Sequence, residues 1–166
     1  MTTTLILGGA RSGKTNYALR AAEATGRSLM MIATAEALDG EMEDRIARHR
    51  AERGPAWRTL EAPLDLADAL AQVGPDNTAV VDCLTLWLSN LMHADRDIDA
   101  ETETLIAALA GRDALLVSNE VGLGIVPDNA LGRRFRDAAG RLNQQVAEAA
   151  DKVVFIVAGL PLVLKG

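Results

Sequence analysis

The chain has 166 residues, 49% hydrophobic and 24% charged, a globular composition that excludes intrinsic disorder and, at this length, points to one domain. A net charge of −6, with 3% aromatic residues, argues against a nucleic-acid partner, whose footprint is basic and rich in stacking surface. One cysteine (Cys83) and two histidines exclude a disulfide framework and a four-cysteine zinc site. The start MTTTLILGG lacks the cationic and long apolar segments of a signal peptide, and the longest greasy stretch, 153–164, is 12 residues broken by Gly159 and Pro161. The expectation is a soluble, cytoplasmic protein with no membrane span.

Short apolar runs alternate with amphipathic segments along the chain. The runs at 4–7, 29–33, 79–81, 114–117 and 153–157 have the length and the Val, Ile and Leu content of strands covered on both faces. Between them, residues 14–24, 40–53, 64–73, 84–92, 100–109 and 131–150 read as helices, with Gly26, Gly54-Pro55 and Gly74-Pro75 as stops. The alternation predicts an α/β fold: a mostly parallel, doubly wound sheet flanked by helices, spanning 1–166 as a single domain. Residues 162–165 add a short edge strand.

The first strand leads directly into Gly8, Gly9, Ala10, Arg11, Ser12, Gly13, Lys14 and Thr15, which fit G-x-x-x-x-G-K-[ST] between a strand and a helix, the P-loop motif. Such a loop turns successive backbone N–H groups onto a phosphate, and glycines permit the close approach. Lys14 supplies a cation for the β- and γ-phosphates, and Thr15 a hydroxyl for Mg²⁺. The apolar run 78–81 closes on Asp82, either the second Mg²⁺ partner at a strand end or a cap for the helix starting near Leu84. Glu120 stands at another strand exit, to orient a hydroxyl or water or simply as a solvated loop residue.

Arg45, His49 and Arg53 lie four apart on one helical face, and Arg48 and Arg50 flank the imidazole. Neighbouring guanidinium groups disfavour a second positive charge, so His49 is neutral near pH 7 and competent as a nucleophile. The plainer reading is a solvated Arg/Glu-rich helix. His93 reads as a surface residue at a helix end, and Cys83, beside Asp82 in a strand, as core packing.

The segments LILGGARSGKT, MIATAEALDGEMEDRIARHR, WRTLEAPLDL, VDCLTLWLSNL and VSNEVGLGIVPDNALGRRFRDAAGRLNQQVAEAAD together resemble the bifunctional adenosylcobinamide kinase/adenosylcobinamide-phosphate guanylyltransferase family, over nearly the whole chain. The resemblance implies a RecA-like P-loop fold and two reactions on a corrinoid substrate. A nucleoside triphosphate, ATP or GTP, phosphorylates the aminopropanol hydroxyl of adenosylcobinamide. GMP from GTP is then transferred to that phosphate through a histidine–GMP intermediate, on the position matching His49. Where some relatives carry a second histidine, this chain has Arg48. The family's nucleotide contacts map onto Gly8 to Thr15, Ala33, Thr34, Ala35, Arg50, Ala51, Glu52, Arg53, Glu61 and Asp82, and its members form homotrimers. The rival enzyme reading is a monofunctional P-loop kinase without a covalent intermediate. A nucleotide-driven switch is disfavoured, because no N/T-K-x-D motif for guanine follows the P-loop.

Overall fold

A computed structural model describes residues 1–35 and 54–166. Its elements run β1 (Thr3–Gly8), α1 (Lys14–Glu23), β2 (Ser28–Ala33), β3 (Trp57–Glu61), α2 (Leu66–Ala71), β4 (Asn77–Asp82), α3 (Leu84–His93), α4 (Ile98–Leu109), β5 (Asp113–Asn119), α5 (Ala130–Ala149), β6 (Lys152–Val157) and β7 (Leu160–Lys165). The expected helix over 40–53 lies outside the described residues.

The strands form one sheet in the order β3-β2-β4-β5-β1-β6-β7. All pair in parallel except β7, which returns antiparallel to β6. Side chains alternate across the sheet, as the period of a strand demands. Leu5, Leu7, Ala79, Val81, Ala114 and Leu116 face a core built with α2, α3, α4 and α5. Ile6, Val80, Leu115, Val117 and Val154 face the other side, where α1 contributes Ala18 and Ala22. The doubly wound expectation therefore holds with unequal layers: four of the described helices cover one face and α1 the other.

Two strands depart from the expected pattern. β3 carries only two large apolar residues in five, Trp57 and Leu60, with Arg58, Thr59 and Glu61 exposed. As an edge strand it pairs only with β2 and needs no continuous apolar run. The tail strand is longer than 162–165 because Ala158 and Gly159, with φ of 50° and 80°, turn the chain in two residues and start the return pairing at Val157↔Leu160. Cys83 is buried as expected, but it lies one residue beyond β4, at the N-cap position of α3, rather than within the strand.

Trp87 anchors the larger core. It is 1% exposed, and its Nε1–H donates to the Leu64 carbonyl at 2.7 Å. Truncation removes a large buried volume and orphans that carbonyl. W87A is expected to cost about 4 kcal/mol and to lower the melting temperature by about 12 °C, read by circular dichroism. A shift of under about 3 °C would mean that Trp87 does not hold the α2–α3 packing together.

Candidate functional site

The carboxyl edge of the sheet carries Gly8, Ala33, Glu61 and Asp82, four of the residues singled out from the sequence that the structure describes. Register places Glu61, Ala33, Asp82 and Val117 in one row across β3, β2, β4 and β5, and pairs Gly8 of β1 with Asn119 of β5. Ligands in open parallel sheets gather outside this edge, where helix N-termini also point.

The phosphate loop leaves β1 through Gly8, which has no room for a side chain: a Cβ there would lie 2.5 Å from the Ile156 carbonyl oxygen and 2.7 Å from Ser12 Oγ. Arg11 takes a left-handed conformation (φ 56°), and Gly13 (φ 97°) forms the N-cap of α1. A Ser12 N–H···Gly9 O bond of 3.3 Å closes the turn. The loop is also tied to the far hairpin, where the Gly159 N–H donates to the Ser12 carbonyl at 2.9 Å. Ser12 Oγ is buried without a hydrogen-bond partner among the described residues.

Lys14 is 6% exposed, and its Nζ donates to the Gly9 carbonyl at 2.6 Å, so the ammonium lies folded over the loop. Burial pushes its pKa below the ordinary lysine range, while the negative charge of Asp82 acts in the opposite direction. The Cys83 thiol is pushed up, by burial first and by Asp82 second, which keeps it protonated and inert.

Thr15 Oγ1 donates to Asp82 Oδ2 at 3.2 Å. The N-cap of α3 is Cys83, one residue beyond Asp82. A threonine hydroxyl beside a carboxylate, both hard oxygen donors, is a set that suits Mg²⁺, which typically takes one or two protein ligands and completes its shell with water and substrate phosphates. Among the described residues no cluster of three or more His, Cys, Asp or Glu could form a fuller protein cage.

Thr34 has a different task from its neighbours. It is fully buried, and its hydroxyl donates to the Cys83 carbonyl while accepting from the Cys83 N–H, each at 2.8 Å. Its own N–H donates to the Asp82 carbonyl at 3.2 Å, and Asn90 Nδ2 donates to its carbonyl at 2.8 Å. Thr34 is thus a strut that fixes the backbone around Asp82. Ala33 ends β2, its carbonyl accepting from the Ala62 N–H at 2.9 Å, and Ala35 follows Thr34 at the same edge. Glu61 is exposed at the end of β3. His49, Arg50, Ala51, Glu52 and Arg53 lie outside the described residues.

A buried polar network behind the edge escapes sequence reasoning. Ser118 Oγ donates to Asn143 Oδ1 at 2.7 Å, and the Asn119 N–H donates to Thr85 Oγ1 at 2.7 Å. Together they tie the end of β5 to α3 and α5. The available signal was Asn143, a polar residue on the apolar stripe of α5 with Ala139, Leu142 and Val146. His93 ends α3 exposed, with Nδ1 2.7 Å from the Ser89 carbonyl oxygen, as its surface reading predicts. No described helix is long and apolar enough to cross a membrane.

The family model for cobinamide kinase / cobinamide phosphate guanyltransferase matches residues 4–164. The chain is 52% identical to the bifunctional adenosylcobalamin biosynthesis protein CobP of Pseudomonas aeruginosa, covering 98% of this chain and 96% of that one. It is 40% identical to the corresponding CobU protein of Salmonella typhimurium, covering 97% and 98%. Among solved structures it is similar in fold to the flagellar accessory protein FlaH of Methanocaldococcus jannaschii (TM-score 0.56, 12% identity, 99% of this chain and 78% of that one). The RadB recombinase is similar to the same degree (TM-score 0.56, 15% identity, 93% and 73%). These two likenesses establish a RecA-like P-loop fold.

A buried cation with no phosphate beside it costs the fold stability. Because the Lys14 pKa is lowered on folding, that cost is present in full below the folded pKa and fades as pH rises toward the unfolded value of 10.5. K14M is expected to stabilise the nucleotide-free protein near pH 7 by about 1 kcal/mol, raising the melting temperature by about 3 °C, while nucleotide no longer raises it further. A destabilised K14M protein would show that the bond to Gly9 outweighs the burial cost.

Proposed function

Because the chain belongs to the cobinamide kinase / cobinamide phosphate guanyltransferase family, we propose that residues 1–166 act as one nucleotide-binding domain with two activities. The first phosphorylates the aminopropanol hydroxyl of adenosylcobinamide with ATP or GTP. The second transfers GMP from GTP to that phosphate through a His49–GMP intermediate, giving adenosylcobinamide-GDP for the nucleotide loop of cobalamin. The observation that carries the nucleotide part of this reading is the Thr15–Asp82 bond beside a complete phosphate loop.

In the kinase step the backbone N–H groups of the loop and the α1 N-terminus hold the polyphosphate. Lys14 leaves the Gly9 carbonyl for the β- and γ-phosphates, exchanging one acceptor for charged ones. Thr15 and Asp82 would hold Mg²⁺, which would supply positive charge to offset that on the departing phosphates. The Thr34 strut keeps Asp82 in place while this charge changes.

Guanylyl transfer asks for attack at the α-phosphorus instead. A neutral His49 nitrogen forms a bond to that phosphorus and the bond to pyrophosphate breaks; the phosphorylated corrinoid then displaces GMP from the imidazole. Arg50 and Arg53, on the same segment, offset charge on the triphosphate, and Ala33, Thr34, Ala35, Ala51, Glu52 and Glu61 belong to the nucleotide surround by family resemblance.

The intermediate is a phosphoramidate, labile in acid and more robust in alkali. GTP labelled at the α-phosphate is expected to label the wild-type protein, ATP labelled there much less, and H49A not at all. Label retained on H49A would remove His49 from the role, and an unlabelled wild type with intact kinase activity would leave a plain kinase.

The chain is further proposed to assemble as a homotrimer. Supporting assembly, β7 exposes Leu160, Leu162, Val163 and Leu164, apolar side chains that a partner subunit would cover. Light scattering on the eluting protein is expected to give three times the mass of one chain; a monomer at micromolar concentration would count against assembly.

A further inference from the structure

The kinase step needs a group to take the proton of the attacking hydroxyl, and none of the residues assigned above does so. We propose that the carboxylate of Glu120 is that general base. The inference rests on the kinase reading of this site and deepens it on the acceptor side.

Glu120 is the first residue past β5, the strand that lies between β1, which carries the phosphate loop, and β4, which ends in Asp82. Its N–H donates to the Gly8 carbonyl at 3.0 Å, one step beyond the Gly8↔Asn119 pairing. The residue is therefore bolted to the entrance of the cradle. Of the other acids that end strands in the described residues, Asp82 is bonded to Thr15, and Glu61 stands on β3 at the opposite flank of the sheet.

The carboxylate is held by its own loop. Glu120 Oε1 accepts from the Gly122 N–H at 2.6 Å. Gly122 is not among the glycines with positive φ, so its backbone does not require glycine. A Cβ at 122 would lie 2.9 Å from Glu120 Oε1, the movable end of that side chain, so a larger residue there would shift the carboxylate. One hydrogen bond on Oε1 leaves Oε2 with its acceptor capacity for a hydroxyl.

Charge points the same way. A carboxylate beside the cradle opposes the binding of a polyanion, so its use lies with the other substrate. Three and five residues further on, Leu123 and Ile125 are 82% and 97% exposed. In the step itself the hydroxyl oxygen forms a bond to the γ-phosphorus and the bond from that phosphorus to the β,γ-bridging oxygen breaks. The nucleoside diphosphate leaves with the bond's electron pair, and the hydroxyl proton passes to Glu120.

E120Q separates proton acceptance from position, because the amide oxygen still accepts from the Gly122 N–H but the group cannot take a proton. With saturating ATP and adenosylcobinamide, E120Q is expected to lower kcat for phosphorylation at least about 100-fold, with KM for both substrates within threefold. Nucleotide affinity and melting temperature should stay at wild-type values. G122A, which keeps the acid but crowds it, should lower kcat by a smaller factor. An E120Q enzyme within threefold of wild-type kcat overturns the assignment. So does a loss of rate matched by losses of nucleotide affinity and melting temperature, which would make Glu120 a structural residue. A wild-type chain that does not phosphorylate adenosylcobinamide overturns the kinase reading and this inference together, whereas an active wild type with an equally active E120Q overturns only the latter.

Discussion

The hydrogen bond between Thr15 and Asp82 joins two strands that do not touch. β5 lies between β1 and β4, so the helix that follows the phosphate loop must reach across a whole strand to meet the carboxylate. That reach works only if the three strands end at compatible heights. The parallel registers set those heights: Gly8 opposite Asn119, and Asp82 opposite Val117, two residues short of it. The side chains that alternate into the two core layers fix the registers in turn, since a one-residue slip would exchange every buried side chain between faces. The placement of two oxygens at the sheet edge is thus a consequence of packing along the whole length of the strands.

The same edge is reinforced by hydrogen bonds within the protein. Thr34 uses donor, acceptor and backbone to pin Asp82 and Cys83. The Ser118–Asn143 and Asn119–Thr85 bonds pin the exit of β5 against two helices. Buried polar groups are costly when half satisfied, and these are paired. Rigidity there contrasts with the cradle, where Ser12 Oγ has no partner among the described residues and Lys14 is buried as a cation. The fold is tight around the site and deliberately incomplete within it, the pattern of a surface shaped for a ligand's charge.

What was legible in the sequence was local. Gly8 to Thr15 announce themselves because loop curvature, phosphate approach and helix start each require particular residues at consecutive positions. Asp82 was legible as an acid closing an apolar run, and the strand that it closes was found to within two residues. β3 was not, since an edge strand with Arg58 and Thr59 facing solvent carries no apolar run to read. The function of Thr34 was equally hidden. Its partners lie about fifty residues away, and a threonine between two alanines at a strand end looks the same whether it faces a nucleotide or a neighbouring backbone. The pairing of Glu120 with Gly122 could be suspected only once the glycine's φ was known to need no glycine.

The tie between Gly159 and Ser12 makes the carboxyl-terminal hairpin a buttress of the nucleotide cradle. Gly159 Cα also lies 3.4 Å from where a Cβ on Gly13 would sit, so the two turns pack at ordinary van der Waals distance. Residues separated by nearly the whole chain therefore share one mechanical joint. Lengthening the 158–159 turn, or prising β7 from β6, would reshape the pocket floor from behind while leaving every residue of the phosphate motif unaltered.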